Sequence, residues 1–382
     1  MSSSVARFGR RRFLGTTGAA GAVLWAGGCG YYSPGKGAAY APWGPPASDG
    51  DPLLALVHAA TLAANPHNTQ PWLFRLSPGR IDLHADPERS LGPMDPLGRE
   101  QLIGLGCALE NLAVAARHRG LAPSIEPVSD PAAPTLVARV TLDAGGAEPD
   151  PLFEQIARRR THRGRYADRP LPDGLLDELT PAGDRVGVRW LVGVVEKEAF
   201  RTLAVDATRA IVDDVEMSEA SFRWFRHSKE EIERHRDGLT LDAQALGAFT
   251  TFLAKITGPT SREKGDRYWV AKTRDVHCAQ VSAFGILSTP ELEDRALLLE
   301  TGRAYQRMHL LATRRGLDMH PINQAAERRD RERALGRVPH LGGRLARLSG
   351  PGHAQMLFRI GFGEGEVIHS PRRDPSDTLL AG

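Results

Sequence analysis

Cysteine is scarce in this 382-residue chain. Cys29, Cys107 and Cys278 are its three copies, none in a CxxC spacing or grouped with histidines as zinc ligands would be. Neither a disulfide framework nor a structural metal site is indicated. The chain also lacks an HExxH, a GxSxG and a P-loop sequence, so three common hydrolase and nucleotide signatures are missing. "GFGEG" near the C-terminus follows an expected strand without a clear helix after it, a poor dinucleotide fingerprint. His227 and His235 flank "SKEEIER" on a charged helix, again without zinc-protease spacing. An excess of one charge sign is absent as well. With 49 basic against 46 acidic residues and a net charge of +3, nothing supports a nucleic-acid footprint. What remains is 41% hydrophobic and 25% charged, the balance of a soluble globular protein long enough for a large core in one or two domains.

The N-terminus carries an address. In "GRRRFLGTTGAAGAVLWAGGCG", Arg10 and Arg11 precede Phe13, Leu14 and a short stretch rich in Gly and Ala. That stretch is too short and too glycine-rich to span a bilayer comfortably, which favours a cleaved export signal over a transmembrane helix. It resembles a twin-arginine translocation signal, which implies passage through the twin-arginine translocase and a periplasmic or cell-envelope location. Ala26, Gly27 and Gly28 before Cys29 resemble a lipoprotein processing site, making Cys29 a candidate lipid anchor. Residues 30–52 read as a Pro/Gly/Ala linker without a packed core.

Asp51 as N-cap and Pro52 at the first helical position open an apolar helix that Asn65-Pro66 should end. "WLFRL" and "IDLHA" read as strands joined by the turn "SPGR". A second capped helix is expected from Asp95-Pro96 to a stop at Gly120. Its end, "GCALENLAVAARHRGL" from Gly106, aligns without gaps to "GRAYQRMHLLATRRGL" from Gly302, with Gly, Ala, Ala, Arg, Gly and Leu recurring in register. The match suggests an internal duplication, although amphipathic helices with small residues and a glycine stop resemble one another in any case. On either reading the small residues suit a close helix–helix seam.

Against this background, "NPHNTQPW" resembles the Ser-Pro-Ser-x-x-Asn-x-Gln-Pro-Trp motif of flavin-dependent nitroreductases, and "RRRTHRGRY" their Arg-x-Ser-x-Arg segment. "MLFRIGFGEG" and "SPRRDPSDTLL" resemble the last strand and basic tail of the same fold. The similarity runs from about Leu53 to Leu380, in the order of the tandem, Acg-like FMN-binding branch. It implies an α+β fold of two nitroreductase-like halves in one chain, a pseudo-dimer with each half a sheet packed by helices. The halves are expected at 53–150 and 151–382, with a helical insertion over about 213–276.

The resemblance also assigns residues. Arg159, Thr161 and Arg163 would hold the flavin phosphate and pyrimidine edge, Arg372 and Arg373 would reach the phosphate from the tail, and Asn65, Asn68 and Gln70 would come from the opposite half. Asn65 stands where the family has serine, Ala64 where it has proline, and Tyr166 falls one residue later than the family aromatic. "MHPINQ" occupies the place of a main-chain amide contact to the flavin, giving Pro321 and Ile322 as candidates, without the family's Glu-Gly. The chemistry agrees, since FMN brings a phosphate dianion, a hydroxylated chain and a ring edge of alternating donors and acceptors. The implied function is FMN-dependent transfer of hydride or electrons to a small-molecule electron acceptor, with no catalytic side chain required. The alternatives are an FMN-sequestering or carrier protein with little turnover, and an anchored interaction protein whose site has decayed. The insertion is expected to be either a lid over the flavin or an extension of the half-to-half interface.

Overall fold

The carboxylate of Asp51 accepts a hydrogen bond from Leu53 N at 2.8 Å and Pro52 takes the first helical position, so helix α1 (Pro52–Thr61) begins at the cap its sequence specifies. The protein is described by a computed structural model over residues 35–45, 51–145, 148–181, 185–245 and 261–381. The twin-arginine stretch and Cys29 lie outside those residues. Strands β1 (Trp72–Ser77) and β2 (Arg80–Ala85) form the expected hairpin, turning at Gly79 with φ +68°, where a side chain would be strained.

Helix α2 (Arg99–His118) starts later than Asp95-Pro96 suggests, because Gly98 adopts a left-handed conformation before it. Asp95 still serves the helix start: its carboxylate accepts from Glu100 N and Gln101 N at 3.1 and 2.9 Å. Strands β3 (Leu121–Pro127) and β4 (Leu136–Ala144) complete an antiparallel sheet of order β1-β2-β4-β3.

The second part runs through β5 (Gly187–Leu191), α3 (Val194–Asp213) and α4 (Val215–Phe222). A two-stranded parallel patch, β6 (Phe225–Arg226) and β7 (Leu239–Thr240), flanks α5 (Lys229–His235), and α6 (Arg262–Lys272) follows. Then come β8 (Ala283–Thr289), α7 (Arg295–Arg314), β9 (Asp318–Pro321), α8 (Gln324–Ala334), α9 (Gly342–Ser349) and β10 (His353–Gly361). The second sheet has order β5-β8-β10-β9, all antiparallel. Each sheet is therefore covered by its own helices, the α+β arrangement expected. Among the described residues no helix is long and apolar enough to cross a membrane.

Two of the long helices, α2 and α7, join the halves. They cross at Gly106 and Gly302, where an added Cβ would lie 2.1 Å from Leu299 O and 2.0 Å from Ile103 O respectively. Only glycine permits that approach. Around the crossing the contacts repeat in pairs: Gln306 Nε2 donates to Asn111 Oδ1 at 2.7 Å, and Arg307 Nη1 donates to Glu110 Oε1 at 3.1 Å. In the alignment that sets Gly106 on Gly302, Glu110 matches Gln306 and Asn111 matches Arg307, so these two contacts are one contact made twice. The seam is two-fold in its geometry, and a single apolar cluster drawn from both sheets and both helices encloses it.

Chain ends cross between the halves. The C-terminal tail returns to the edge of the first sheet, where Leu380 N donates to Phe74 O at 2.8 Å. At the other end, residues 38–43 form a helical turn rather than the unpacked linker expected over 30–52. Ala39 and Tyr40 are buried against Ile232, Ala39 N donates to Glu233 Oε2 at 3.0 Å, and Trp43 Nε1 donates to Ser370 O at 2.8 Å. The Pro/Gly/Ala composition hid this packing, because its anchors lie far away in sequence.

Candidate functional site

The loop between α1 and β1 holds three non-glycine residues at left-handed φ: His67 at 47°, Asn68 at 56° and Gln70 at 53°. Such conformations cost roughly 1–3 kcal/mol each and persist where surrounding contacts fix them. The fixing contacts are side-chain braces. Asn65 Oδ1 accepts from Gln70 N at 2.8 Å, and Asn68 Nδ2 donates to Gly238 O at 3.1 Å and Pro371 O at 2.9 Å. Gln70 donates through Nε2 to Arg236 O at 2.8 Å and accepts at Oε1 from Arg373 N at 2.9 Å. The crowded polar run thus ties the loop to the insertion and to the C-terminal tail. Helix α2 makes room for it at Gly104, where a Cβ would lie 2.9 Å from Pro66 Cδ.

Behind this loop three guanidinium groups converge. Arg159, Arg163 and Arg372 line a small pocket of about 30 Å³ together with Asn65, Asn68 and Thr161. Arg159 Nη2 donates to Leu62 O at 3.0 Å and Arg372 Nη2 to Ala63 O at 3.1 Å, while Arg372 Nη1 donates to the Asn68 amide oxygen. The Nε atoms of Arg159 and Arg372 are buried with no partner, and among the described residues none of the three arginines pairs with a carboxylate. Burial holds all three below the usual arginine range. The neighbouring guanidinium groups lower Arg372 and Arg163 further, Arg163 to about 10. Three desolvated like charges with no counter-charge make a site for an anion, which would satisfy both the orphaned donors and the field.

The arginine segment is held from below by Arg359 on β10, which is fully buried. Its Nη2 donates to His162 O at 3.0 Å and Gly164 O at 2.8 Å, its Nη1 to Val276 O at 3.0 Å, and its guanidinium lies 4.0 Å over the Tyr166 ring. From above, the N-terminal strap closes the pocket. The Trp43 ring stacks on His369 with centroids 4.1 Å apart and carries the Arg372 guanidinium at 4.8 Å.

The pocket opens into a cavity of about 540 Å³, sharing Ala64, Asn65, Thr161 and Arg163 with it. This volume suits an organic ligand of cofactor size. The first half supplies Ile103, Gly104 and Cys107, the second Tyr305, His320 and Pro321, and the insertion Phe222, Tyr268 and Trp269. An elongated ligand with an anionic tail and a flat apolar head fits this sequence of surfaces.

Of the ten residues assigned from sequence, Asn65, Thr161, Arg163 and Pro321 line the large cavity, and Asn68, Arg159 and Arg372 line the arginine pocket. Three do not join them. The Arg373 guanidinium lies 3.7 Å from Asp86 Oδ2, drawn away by a carboxylate, and Gln70 is spent on the loop braces. Ile322 is buried in the core beneath α8 and donates its N–H to Leu357 O at 2.7 Å.

Sequence reasoning missed others. His277 and His320 meet edge to face at 4.7 Å on the cavity wall, and burial first, then the cationic neighbours, holds both well below the usual histidine range. Tyr305 was hidden inside the helix repeat, and Trp43 inside the linker composition. Cys107 and Cys278 are buried, with thiols pushed up to about 12 by burial, so neither offers a thiolate nucleophile near neutral pH. Among the described residues no group of three His, Cys, Asp or Glu side chains could hold a metal ion.

Residues 156–339 match the family model described as Nitroreductase family. The Mycobacterium tuberculosis protein named "Putative NAD(P)H nitroreductase Rv3131" is 26% identical over 345 residues, covering 87% of this chain and 92% of that one. The protein named "Putative NAD(P)H nitroreductase acg" from the same organism is 30% identical over 123 residues, 31% of this chain and 37% of that one. Among solved structures, the FMN-dependent nitroreductase NfnB from Mycobacterium smegmatis in complex with NADPH superposes with a TM-score of 0.35 at 14% identity, over 60% of this chain and 96% of that one.

Proposed function

This chain carries a nitroreductase-family domain, and from that premise we propose that it binds FMN between its two halves and works as a flavin-dependent oxidoreductase on a small acceptor. The observation that carries the reading is the buried guanidinium groups of Arg159 and Arg372 beside the half-buried one of Arg163, with two orphaned Nε atoms and, among the described residues, no carboxylate to pair them. A phosphate dianion supplies the missing charge and acceptors. Thr161 adds a hydroxyl beside them, and the apolar cavity beyond Arg163 takes a flat ring against Pro321 and Tyr305. When bound, the flavin supplies the hydride or electron transfer. The chain's own groups anchor the phosphate, exclude water through Phe222 and Trp269, and keep neutral imidazoles at His277 and His320 as hydrogen-bond partners on the wall.

The purified protein is expected to show flavin absorbance in the visible range or to take up added FMN and quench its fluorescence. A colourless protein that leaves FMN fluorescence unchanged refutes the reading. The carrier alternative draws on the Trp43 strap over the arginine pocket and on the insertion along the cavity wall. Anaerobic addition of NADPH and then a nitroaromatic separates the two: bleaching and recovery of the flavin colour marks an enzyme, and an unchanged spectrum marks a carrier.

Export by the twin-arginine route belongs to the same proposal and rests on the Arg10-Arg11 sequence. A folded, cofactor-loaded chain suits that route. Replacing both arginines by lysine should leave the protein in the cytoplasmic fraction, and unchanged fractionation would remove this part of the reading.

A further inference from the structure

The 540 Å³ cavity has a second charged wall, separate from the arginine pocket. Glu100 in the first turn of α2 and Glu327 in the first turn of α8 both line the cavity and hydrogen-bond to one another. Neither lines the arginine pocket. The two carboxyl groups are only 5% and 6% exposed, so water does little for their charge.

Nearby groups do not neutralise the pair. Arg99 reaches Glu100 Oε1 at 3.4 Å, but it also donates to Asp330 and to Gln355 O. Asp95 adds a further acid on the α2 side, while Asp330 is bridged to both Arg99 and Arg329, at 2.5 and 2.8 Å. Burial, ahead of these charges, raises both glutamates, Glu100 to about 7, so the pair holds a proton at neutral pH.

A second observation is independent of titration. Gln324 Oε1 belongs to a wall residue that is 5% exposed and is buried without a hydrogen-bond partner, and Glu327 Oε2 is buried with no partner besides the Glu100 carboxyl. Buried orphan acceptors are uncommon and ask for donors. The wall therefore offers acceptor oxygens in surplus, backed by net negative charge, with one shared proton to give up. A group with a positive charge and two or more N–H donors matches both features, whereas a carboxylate would meet like charge.

We propose that the Glu100–Glu327 wall is an acceptor subsite, and that the small molecule taken into the cavity carries a cationic nitrogen group of amidinium, guanidinium or primary-ammonium type that seats there. This inference rests on reading the cavity as a flavin oxidoreductase site. The cation displaces the shared proton to solvent, while the flavin phosphate keeps the arginine pocket at the other end.

The test uses the full chain, loaded with FMN and oxidised, titrated calorimetrically at pH 7 with 4-nitrobenzamidine, 4-nitrobenzamide and 4-nitrobenzoate. The amidine is expected to bind about tenfold or more tightly than the other two. Its heat should differ between phosphate and Tris buffers in the sense of proton release. Glu327→Gln should erase the preference. Equal affinities for the three compounds, or a preference that survives in both Glu327→Gln and Glu100→Gln, overturns the subsite. The wild-type ranking decides alone if the variants do not fold. Flavin released from the same sample is measured separately, so a protein that takes no FMN refutes the cofactor reading instead. The same titrations on the flavin-free chain then still score the wall.

Discussion

Helices α2 and α7 are alike where they meet and unlike where they flank the seam. Superposed at Gly106 and Gly302, both present a glycine to the crossing and both end at a glycine with φ near +70°, Gly120 at 74° and Gly316 at 71°. Two residues earlier they part. Gly104 on α2 lets the loop of Asn65 and Pro66 settle on the helix, and its counterpart on α7 is Glu300, which pairs with Arg185 at 3.1 Å on the surface. Cys107 on the cavity wall corresponds to Arg303, which pairs with Glu110 at 3.2 Å, and Tyr305 on the wall corresponds to the core residue Leu109. The interface keeps its symmetry because both partners must fit the same seam. A site has no such requirement, and among the described residues the α2 flank has the space and the polar groups for a ligand where the matching α7 positions carry Glu300 and Arg303.

The largest effect should come from breaking the shared part. Gly302→Val places a side chain on Ile103 O, with no room for relaxation across two packed helices. Overpacking of this kind costs about 1–3 kcal/mol and sometimes more. Thermal unfolding should show both halves melting earlier in one transition; loss confined to the second half would mean that the seam does not couple them.

Breaking the unshared part should separate binding from folding. Gly104→Val pushes Pro66 and Asn65 off α2 and, through Asn68, loosens Arg372. A lost charge-assisted contact is worth about 1.5–3 kcal/mol, so FMN affinity should fall by roughly one to two decades, as it should in Arg159→Ala. Glu300→Val, at the matching position, should leave FMN affinity unchanged. Flavin counted after denaturation is expected at one per chain, and two per chain would show that the α7 flank also holds a site.

What the sequence revealed follows the same division. The helix repeat, the hairpin and the arginine run were legible, because a glycine stop, a Pro-Gly turn and a cluster of guanidinium groups are local signals. Arg159, Arg163 and Arg372 were singled out by residue type and motif, and the structure brings them to one pocket. Arg373 and Gln70 stand outside the pocket and the cavity because their side chains answer to distant partners: Asp86 for one, Arg236 O and Arg373 N for the other. Glu100 and Glu327 were invisible because each looks like an ordinary acid in the first turn of a helix. They become a pair only through the crossing of elements far apart in the chain.

The protonation of Arg163 gives a sharper, pH-based version of the site comparison. Burial first, then Arg159 and Arg359, lowers this guanidinium to about 10 in the ligand-free protein. Phosphate binding needs the charged form, so affinity for FMN should be flat from pH 7 to 9 and fall as pH rises past 10, by up to about tenfold per unit. Below about pH 6 it should fall again, as the phosphate gains a proton. Fluorescence titrations across this range in Arg163→Lys, whose ammonium titrates differently, should move the upper limb. An upper limb that stays in place would assign it to another group.

The smallest expected effect concerns the strap, where the halves differ most. Trp43 reaches the arginine pocket from the N-terminal segment, stacked on His369 and covering Arg372, and the α7 flank has no equivalent among the described residues. The ring shields Arg372 from water and stabilises its charge through its face, a contribution of about 0.5–1 kcal/mol where such a contact is partly exposed. Trp43→Ala should therefore weaken FMN binding about three- to fivefold, with the change carried by faster release because the strap blocks the pocket's exit. Trp43→Phe should restore part of it. Stopped-flow displacement of FMN measures the release rate directly. A Trp43→Ala protein that releases FMN at the wild-type rate would show that the strap fastens the N-terminus and takes no part in holding the ligand.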